Sequence, residues 1–383
     1  MPIKNLAIFT ICSNNYVPMA KVLLQSARKH HPEARHYICL ADTIASDNDF
    51  YPADCDIVPA EALGIPDFRR FAFRYDVMEF NTALKPFMMT RLLEQGHDAV
   101  LYFDPDIEIF APLDAILEPL EAGASFVLTP HLLAPAEGSS EPDDVGIMCA
   151  GIYNLGFLGV GATAETQALV AWWARRLQHQ CVNEQSRGLF VDQKFMDLVP
   201  GFAADARIMR DSRYNVAYWN LGQRVLTQDQ DGWRVDGRPL GFFHFSGIDP
   251  ADLTRLSKHT AAFRDAAIAA PLQALMRHYA EKVLANGFAA QRHRPYHYGQ
   301  FRSGAPIPTA ARRLFRTGHE DLEGDPFETF EPLFERLNAP PPAPPDPAAL
   351  SRHLESVYAS TSWRITRPLR MLKDLLTRHG AGP

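Results

Sequence analysis

No two cysteines of this chain lie close enough in sequence to form a metal or redox pair. The five, Cys12, Cys39, Cys55, Cys149 and Cys181, are scattered. An odd, dispersed set fits reduced thiols in a cytoplasmic protein rather than a disulfide framework. No run approaches the roughly 18 uninterrupted apolar residues of a membrane span. The apolar stretch after Met1 is too short for a signal peptide and reads as a first strand. Positive charge is not in excess either: the net charge is −7 over 383 residues, which argues against a nucleic-acid-binding surface. No internal repeat is visible. What remains, 46% hydrophobic and 22% charged residues, is the composition of an ordinary soluble globular protein with one large core or two modest ones.

Strand and helix patterns alternate along the chain. Leu6–Ile11, Tyr37–Ala41, Cys55–Val58 and Ser125–Thr129 read as strands. Pro18–His30 reads as a helix with proline in its first turn. Leu84, Phe87, Met88 and Leu92 recur at helical spacing, with Gly96 as a stop. Further helices are expected over Ala164–Gln178 and Leu253–Ala289. The alternation predicts an α/β fold with a mostly parallel central sheet flanked by helices. In such sheets ligands bind outside the carboxyl ends of the strands. Ala134–Asp144, rich in Pro, Glu, Ser and Asp, is expected to be a mobile loop. His293–Phe330 reads as irregular, and residues 338–347 as a stiff Pro-rich linker. Residues 348–383 read as a basic helical tail broken at Pro368.

The stretch that organises the chain is Ala99–Phe110. A strand of apolar residues ends in Asp104 and Asp106, which point the same way because side chains alternate along an extended chain. Two hard oxygen ligands with Pro105 between them suit Mg2+ or Mn2+. Taken alone, Asp-x-Asp is equally well a polar turn. The strand Gly151–Gly161 carries glycines at 156, 159 and 161, which signal either close approach of a ligand or tight packing. Asp192 and Gln193 stand side by side near a helix start. His244 lies in the aromatic strand Gly241–Gly247; a lone histidine there is more often a packed core residue, but opposite two carboxylates it is a natural third ligand for Mn2+. Lys85, by the usual reading, is a solvated helix lysine.

Together these pieces resemble the nucleotide-sugar-dependent glycosyltransferases of the GT-A fold, most closely the retaining, family 8-like enzymes, over roughly residues 3 to 255. The resemblance implies that Thr10 and Tyr16 hold the nucleoside and that Lys85 stands before the Asp-x-Asp strand. It makes Asp104, Asp106 and His244 the metal ligands, with Asp104 also near the ribose or sugar. Asn154 and Gly156 would lie over the donor sugar, Asp192 would orient its hydroxyls, and Gln193 would lie close to the anomeric carbon. Gly247 completes the His-x-x-Gly element. Where the family continues with Lys-Pro-Trp this chain has Ile248-Asp249-Pro250, which moves the diphosphate contact to Arg255, Lys258 or another base.

The implied cofactors are Mn2+ or Mg2+ and a nucleotide-sugar donor, UDP-sugar by family likeness with GDP open. The implied partner is a glycan or lipid-linked glycan acceptor of a bacterial surface polysaccharide or glycoconjugate. Residues 1–260 would form the catalytic domain and 261–337 an accessory region on the acceptor side. The segment Tyr358–Arg370 resembles the ends of bacterial polysaccharide-assembly glycosyltransferases. Trp363, Ile365, Leu369 and Leu375 with Arg364, Arg367, Arg370 and Lys373 could lie on an anionic membrane surface or dock a subunit. A homo-oligomer is left open. The rival readings are nucleotidyl transfer or sugar-nucleotide hydrolysis on the same fold, and a catalytically silent carbohydrate-binding or scaffold protein. Against the first, the loop Cys12–Tyr16 contains no glycine; against the second, Asp104, Asp106 and His244 are all present.

Overall fold

β1 (Leu6–Cys12) is buried along its whole length, as a strand covered on both faces must be. It belongs to a seven-stranded sheet in a computed structural model that describes residues 2–46, 50–136, 142–261, 263, 268–338 and 347–367. β1 pairs in parallel with β2 (Arg35–Leu40) on one side and with β4 (Ala99–Phe103) on the other. β3 (Asp56–Pro59) extends the first side. β7 (Tyr153–Gly161) runs antiparallel between β4 and β6 (Phe126–Pro130), and Ala206–Ile208 closes the far edge parallel to β6. The mixed α/β class with a mostly parallel sheet is therefore present as the alternation predicts. Because β2 and β4 leave β1 in opposite directions, the carboxyl end of β1 is a topological switch point, the usual place for a ligand crevice.

Local chemistry explains the helices around the sheet. α1 (Val17–His30) carries proline at its start and buries Val22, Leu23 and Ser26. The Phe71–Gly96 region holds α2 (Phe68–Arg74), α3 (Val77–Ala83) and α4 (Lys85–Glu94) in succession. Asp76 and Glu79 form a reciprocal capping box at the start of α3, which satisfies orphan backbone donors at its first turn. Gly96 ends the stretch at φ +85°. α5 (Asp114–Glu121) and α6 (Asp144–Ala150) follow, and α7 (Ala164–Gln180) buries Trp173 while Trp172 stays partly exposed. Of the expected loop Ala134–Asp144, residues 137–141 lie outside the described residues.

Two expectations need correction. Leu253–Ala289 is not one helix among the described residues, which leave out 262 and 264–267: the helix begins at Ala270 and ends at Ala285. Before it, Asp249 and Asp252 accept hydrogen bonds from the backbone of Ala251 and Thr254 at 3.0 and 3.1 Å. Short acidic side chains that bond the backbone two residues on hold turns rather than helix. His293–Phe330 is not irregular throughout, since Thr309–Arg316 is helical and Pro326 opens the helix Pro326–Asn338. Its aromatic residues are core: the rings of Phe301, Phe315, Phe327 and Phe330 all pack on Phe73 of α2.

The chain divides into two units, Met1–Glu331 and Pro332–Pro383. In the second, the described residues are the end of the helix Pro326–Asn338 and the helices Pro347–Ala359 and Thr361–Ile365. Residues 339–346 of the Pro-rich linker and everything from Pro368 onward lie outside the described residues. Among the described residues no helix is long and apolar enough to cross a membrane.

Candidate metal centre

The turn after β4 brings the two aspartates to the sheet's carboxyl edge. Asp104 N–H donates to Gly156 O of β7 at 2.7 Å, and Ile107 N–H donates back to Asp104 O at 3.2 Å. The chain then re-enters as β5 (Ile107–Ile109), which pairs antiparallel with Phe242–His244 so that His244 lies opposite Ile107. Phe245 N–H donates to Asp106 O at 2.8 Å. This small second sheet delivers the imidazole to the carboxylates. His244 Nε2 stands 3.1 Å from Asp106 Oδ1 and 3.6 Å from Asp104 Oδ2. One ligand atom from each of Asp104, Asp106 and His244 can be chosen within 4.8 Å of the others. Two carboxylate oxygens and one imidazole nitrogen at that spacing fit a divalent cation.

The electrostatics of the trio are mutual. Burial opposes charge on His244, but Asp106, through its charge and their shared hydrogen bond, lifts the imidazole pKa above its ordinary value. Burial likewise works against the Asp106 carboxylate, and the His244 ring outweighs it, so the Asp106 pKa is held below the usual range. The Tyr102 hydroxyl donates to Asp104 Oδ1.

Lys85 is not a solvated lysine. It is almost wholly buried, with Nζ 2.7 Å from Asp192 Oδ2, 2.7 Å from Leu155 O and 4.4 Å from the centre of the Tyr102 ring. The Asp104 carboxylate is 3.9 Å away. Burial raises the Asp192 pKa and Asp104 adds to the rise, while Lys85 opposes both. Val191, just before Asp192, has φ +41°, a conformation that a β-branched residue adopts only under constraint. The Gln193 amide is tied at both ends, donating to Ala150 O at 2.7 Å and accepting from Leu155 N–H at 3.3 Å.

The other expected residues are placed as follows. Thr10 is fully buried on β1, and its Oγ1 has no hydrogen-bond partner among the described residues. Tyr16, at the end of the turn Asn14–Tyr16, has its pKa raised first by burial and then by Asp106 and Asp104. Gly156 faces protein: a Cβ there would lie 2.5 Å from His244 Nδ1 and 2.7 Å from Asn154 Oδ1. Gly159 packs against Leu101 and Gly161 against the backbone of Ala124, so the three strand glycines serve close packing. Gly247 has φ +75°, and a Cβ would collide with Ser257 and His259.

Several neighbours of the site escape sequence reasoning. Gly247 O accepts from Lys258 N–H at 2.9 Å. This holds His259, on whose ring Tyr218 stacks. The His259 pKa is lowered first by burial and then by Lys258, with Asp106 opposing. Trp219 meets His244 and His131 edge-on at 5.2 and 5.3 Å. Asn215, wholly buried at φ +52°, donates to Thr129 Oγ1 at 2.9 Å and Asn154 Oδ1 at 3.1 Å. The sequence signal nearest to them is the polar residue within an apolar run, as at His131 and Asn215.

No family model matches the chain. Two proteins of Bacillus subtilis (strain 168) are similar in sequence, both described as uncharacterized. YfnF is 26% identical over 196 residues, which span 50% of this chain and 64% of YfnF. YfnD is 24% identical over 244 residues, spanning 62% of this chain and 76% of YfnD. Among solved structures, the galactosyltransferase LgtC in complex with donor and acceptor sugar analogues is similar over 73% of this chain and 95% of LgtC, at 14% identity and a TM-score of 0.42. A glycosyltransferase involved in glycosylation of the major capsid of PBCV-1 is similar over 64% of this chain and 95% of its own, at 11% identity and a TM-score of 0.37.

Proposed function

We propose that this chain is a metal-dependent glycosyltransferase of the GT-A type that moves a sugar, with retention, from a nucleotide-diphosphate donor to a glycan or lipid-linked glycan. The observation that carries the reading is the convergence of Asp104, Asp106 and His244 at the carboxyl edge of the sheet. Mn2+ or Mg2+ held there would supply Lewis-acid neutralisation of charge on the departing diphosphate.

The chain's own groups take the remaining roles. Tyr16 holds the nucleoside, with UDP the first candidate donor, while Thr10 stays buried on β1. Lys85 and Asp192 form a closed buried pair that frames the sugar site, and Gln193 keeps the backbone of Ala150 and Leu155 in place beside it. Lys258 and His259, anchored on Gly247, take the diphosphate contact that the departed Lys-Pro-Trp would have made. Preplaced carboxylates and amides stabilise an oxocarbenium-like transition state because they need no rearrangement as charge develops.

The reading is tested by calorimetric titration with UDP and GDP, with and without Mn2+. Binding of one nucleotide that requires the metal is the expected result. No binding of either by folded, metal-supplied protein overturns it. The acceptor is part of the same proposal: the tail brings the enzyme to an anionic membrane carrying a lipid-linked glycan. Deleting residues 348–383 is then expected to reduce recovery with anionic liposomes, and unchanged recovery removes that part.

A further inference from the structure

Family resemblance gives Asn154 and Gly156 to the donor sugar, but their partners in the fold give them a different task. The orientation of the Asn154 amide is fixed without reference to any histidine. The backbone N–H of Gly156 and Nδ2 of Asn215 can only donate, and they approach Asn154 Oδ1 at 3.0 and 3.1 Å. Oδ1 is therefore the acceptor. His244 Nδ1 lies 3.3 Å from the same oxygen, so this contact is favourable only when Nδ1 carries the proton. With that proton kept on Nδ1, the ring can give up the one that Nε2 shares with Asp106 and offer the Nε2 lone pair to a cation held with Asp106 and Asp104. Gly156 leaves the room for this arrangement, since any Cβ would occupy the place of the His244 ring.

The support continues behind Asn154. Its Nδ2 faces His131 Nε2 at 3.2 Å, and burial lowers the His131 pKa to about 4, which keeps that ring neutral and able to accept. Asn220 Nδ2 donates to His131 O at 3.1 Å and Arg224 Nη1 to Asn220 Oδ1 at 2.7 Å. Asn154 is thus held from both sides and is itself almost fully buried.

We propose that Asn154 is a positioning residue that selects the Nδ1–H tautomer of His244, so that Nε2 presents its lone pair to a divalent cation shared with Asp104 and Asp106. This rests on the metal-binding part of the proposed function and is independent of the sugar or nucleotide. Groups that orient a metal-bound imidazole in this way are worth about 10–100-fold in metal affinity.

The test uses the full chain labelled with 15N-histidine. Spectra are recorded with saturating diamagnetic Mg2+, because without a cation the Asp106 and Asp104 carboxylates hold a proton on Nε2; His244 is assigned by its loss in His244→Gln. The expected result is the Nδ1–H tautomer in the Mg2+-loaded unmodified protein. Asn154→Leu is expected to move His244 towards Nε2–H and to weaken Mn2+ binding, measured by calorimetry, about 10–100-fold. Asn154→Asp keeps an acceptor oxygen and is expected to retain the tautomer and most of the affinity. An Nε2–H tautomer in the Mg2+-loaded unmodified protein overturns the proposal, as does absence of Mn2+ binding or unchanged Mn2+ affinity in folded Asn154→Leu. If Asn154→Leu does not fold, the tautomer of the unmodified protein and the affinity of Asn154→Asp decide. Mn2+ binding with the expected tautomer but no nucleotide binding would instead overturn the glycosyltransferase reading alone.

Discussion

Two clusters of charge lie side by side at the carboxyl edge of the sheet, and they are finished differently. Lys85 and Asp192 are both about 2% exposed and form an ion pair at 2.7 Å, with Leu155 O accepting a hydrogen bond from the ammonium. Asp104, Asp106 and His244 bring two acids to one ring, and the carboxylates keep side-chain exposures of 28 and 17%. The first cluster is closed within the protein and acts as framework. The second carries surplus negative charge facing outward, which is what a cation-binding edge requires. Burial alone does not mark a binding group here; the unbalanced charge does.

The contrast yields predictions in descending size. Lys85→Met strands the Asp192 carboxylate without a cation, and breaking a buried pair in this way costs about 3–5 kcal/mol. Denaturant unfolding measures it, and Lys85→Met combined with Asp192→Leu is expected to recover most of the loss. If Lys85→Met is as stable as the unmodified protein, the closed cluster is not framework. Asp106→Ala should act chiefly on the metal: it relieves like charge but also removes the partner of His244, so metal-free stability falls by less than in Lys85→Met, while Mn2+ affinity falls by more than the roughly 10–100-fold of a lost outer-shell partner. Calorimetry with Mn2+ checks this, and unchanged affinity would remove Asp106 from the site. Gly156→Ala sits between the two, because it pushes a methyl group into the His244 ring. Overpacking of this kind costs about 1–3 kcal/mol, and metal affinity should fall with it.

The smallest effect is on pH. The raised His244 pKa contributes stability that is complete below the ordinary imidazole value and is lost as pH rises through the raised one. The lowered Asp106 pKa contributes stability that is complete above the ordinary carboxylate range and is lost as pH falls through the depressed value. Together they favour the metal-free protein most between about pH 4 and about pH 6.5. A metal needs the ring deprotonated, so the rise in Tm caused by Mn2+ should grow as pH increases through neutrality. A rise independent of pH would exclude His244 as a ligand.

What could be read in the sequence follows from range. Strand period, helix period and the Asp104–Asp106 spacing are local, and the structure places the sheet and the aspartate turn where they predict. His244 could be named a candidate because it stands out in an aromatic strand, but its delivery depends on the pairing of β5 with Phe242–His244 across more than a hundred residues. Lys85 looked solvated because nothing nearby in sequence reveals that Asp192 and Leu155 O surround it. Asn215 and His259 were missed for the same reason. The over-long helix from Leu253 failed locally: apolar spacing suggested helix where Asp249 and Asp252 bond the backbone into turns.

The reversal of β7 has a kinetic consequence. β7 is the strand that joins β4 to β6. Until it inserts, β4-β1-β2-β3 and the pair of β6 with Ala206–Ile208 are separate pieces of sheet with no shared edge. The same insertion brings Gly156 O to Asp104 N–H and Asn154 to His244. A chain stalled before this step therefore lacks the Asn154 support of His244, and a tightening of Mn2+ binding during refolding would time the joining of the two halves of the sheet.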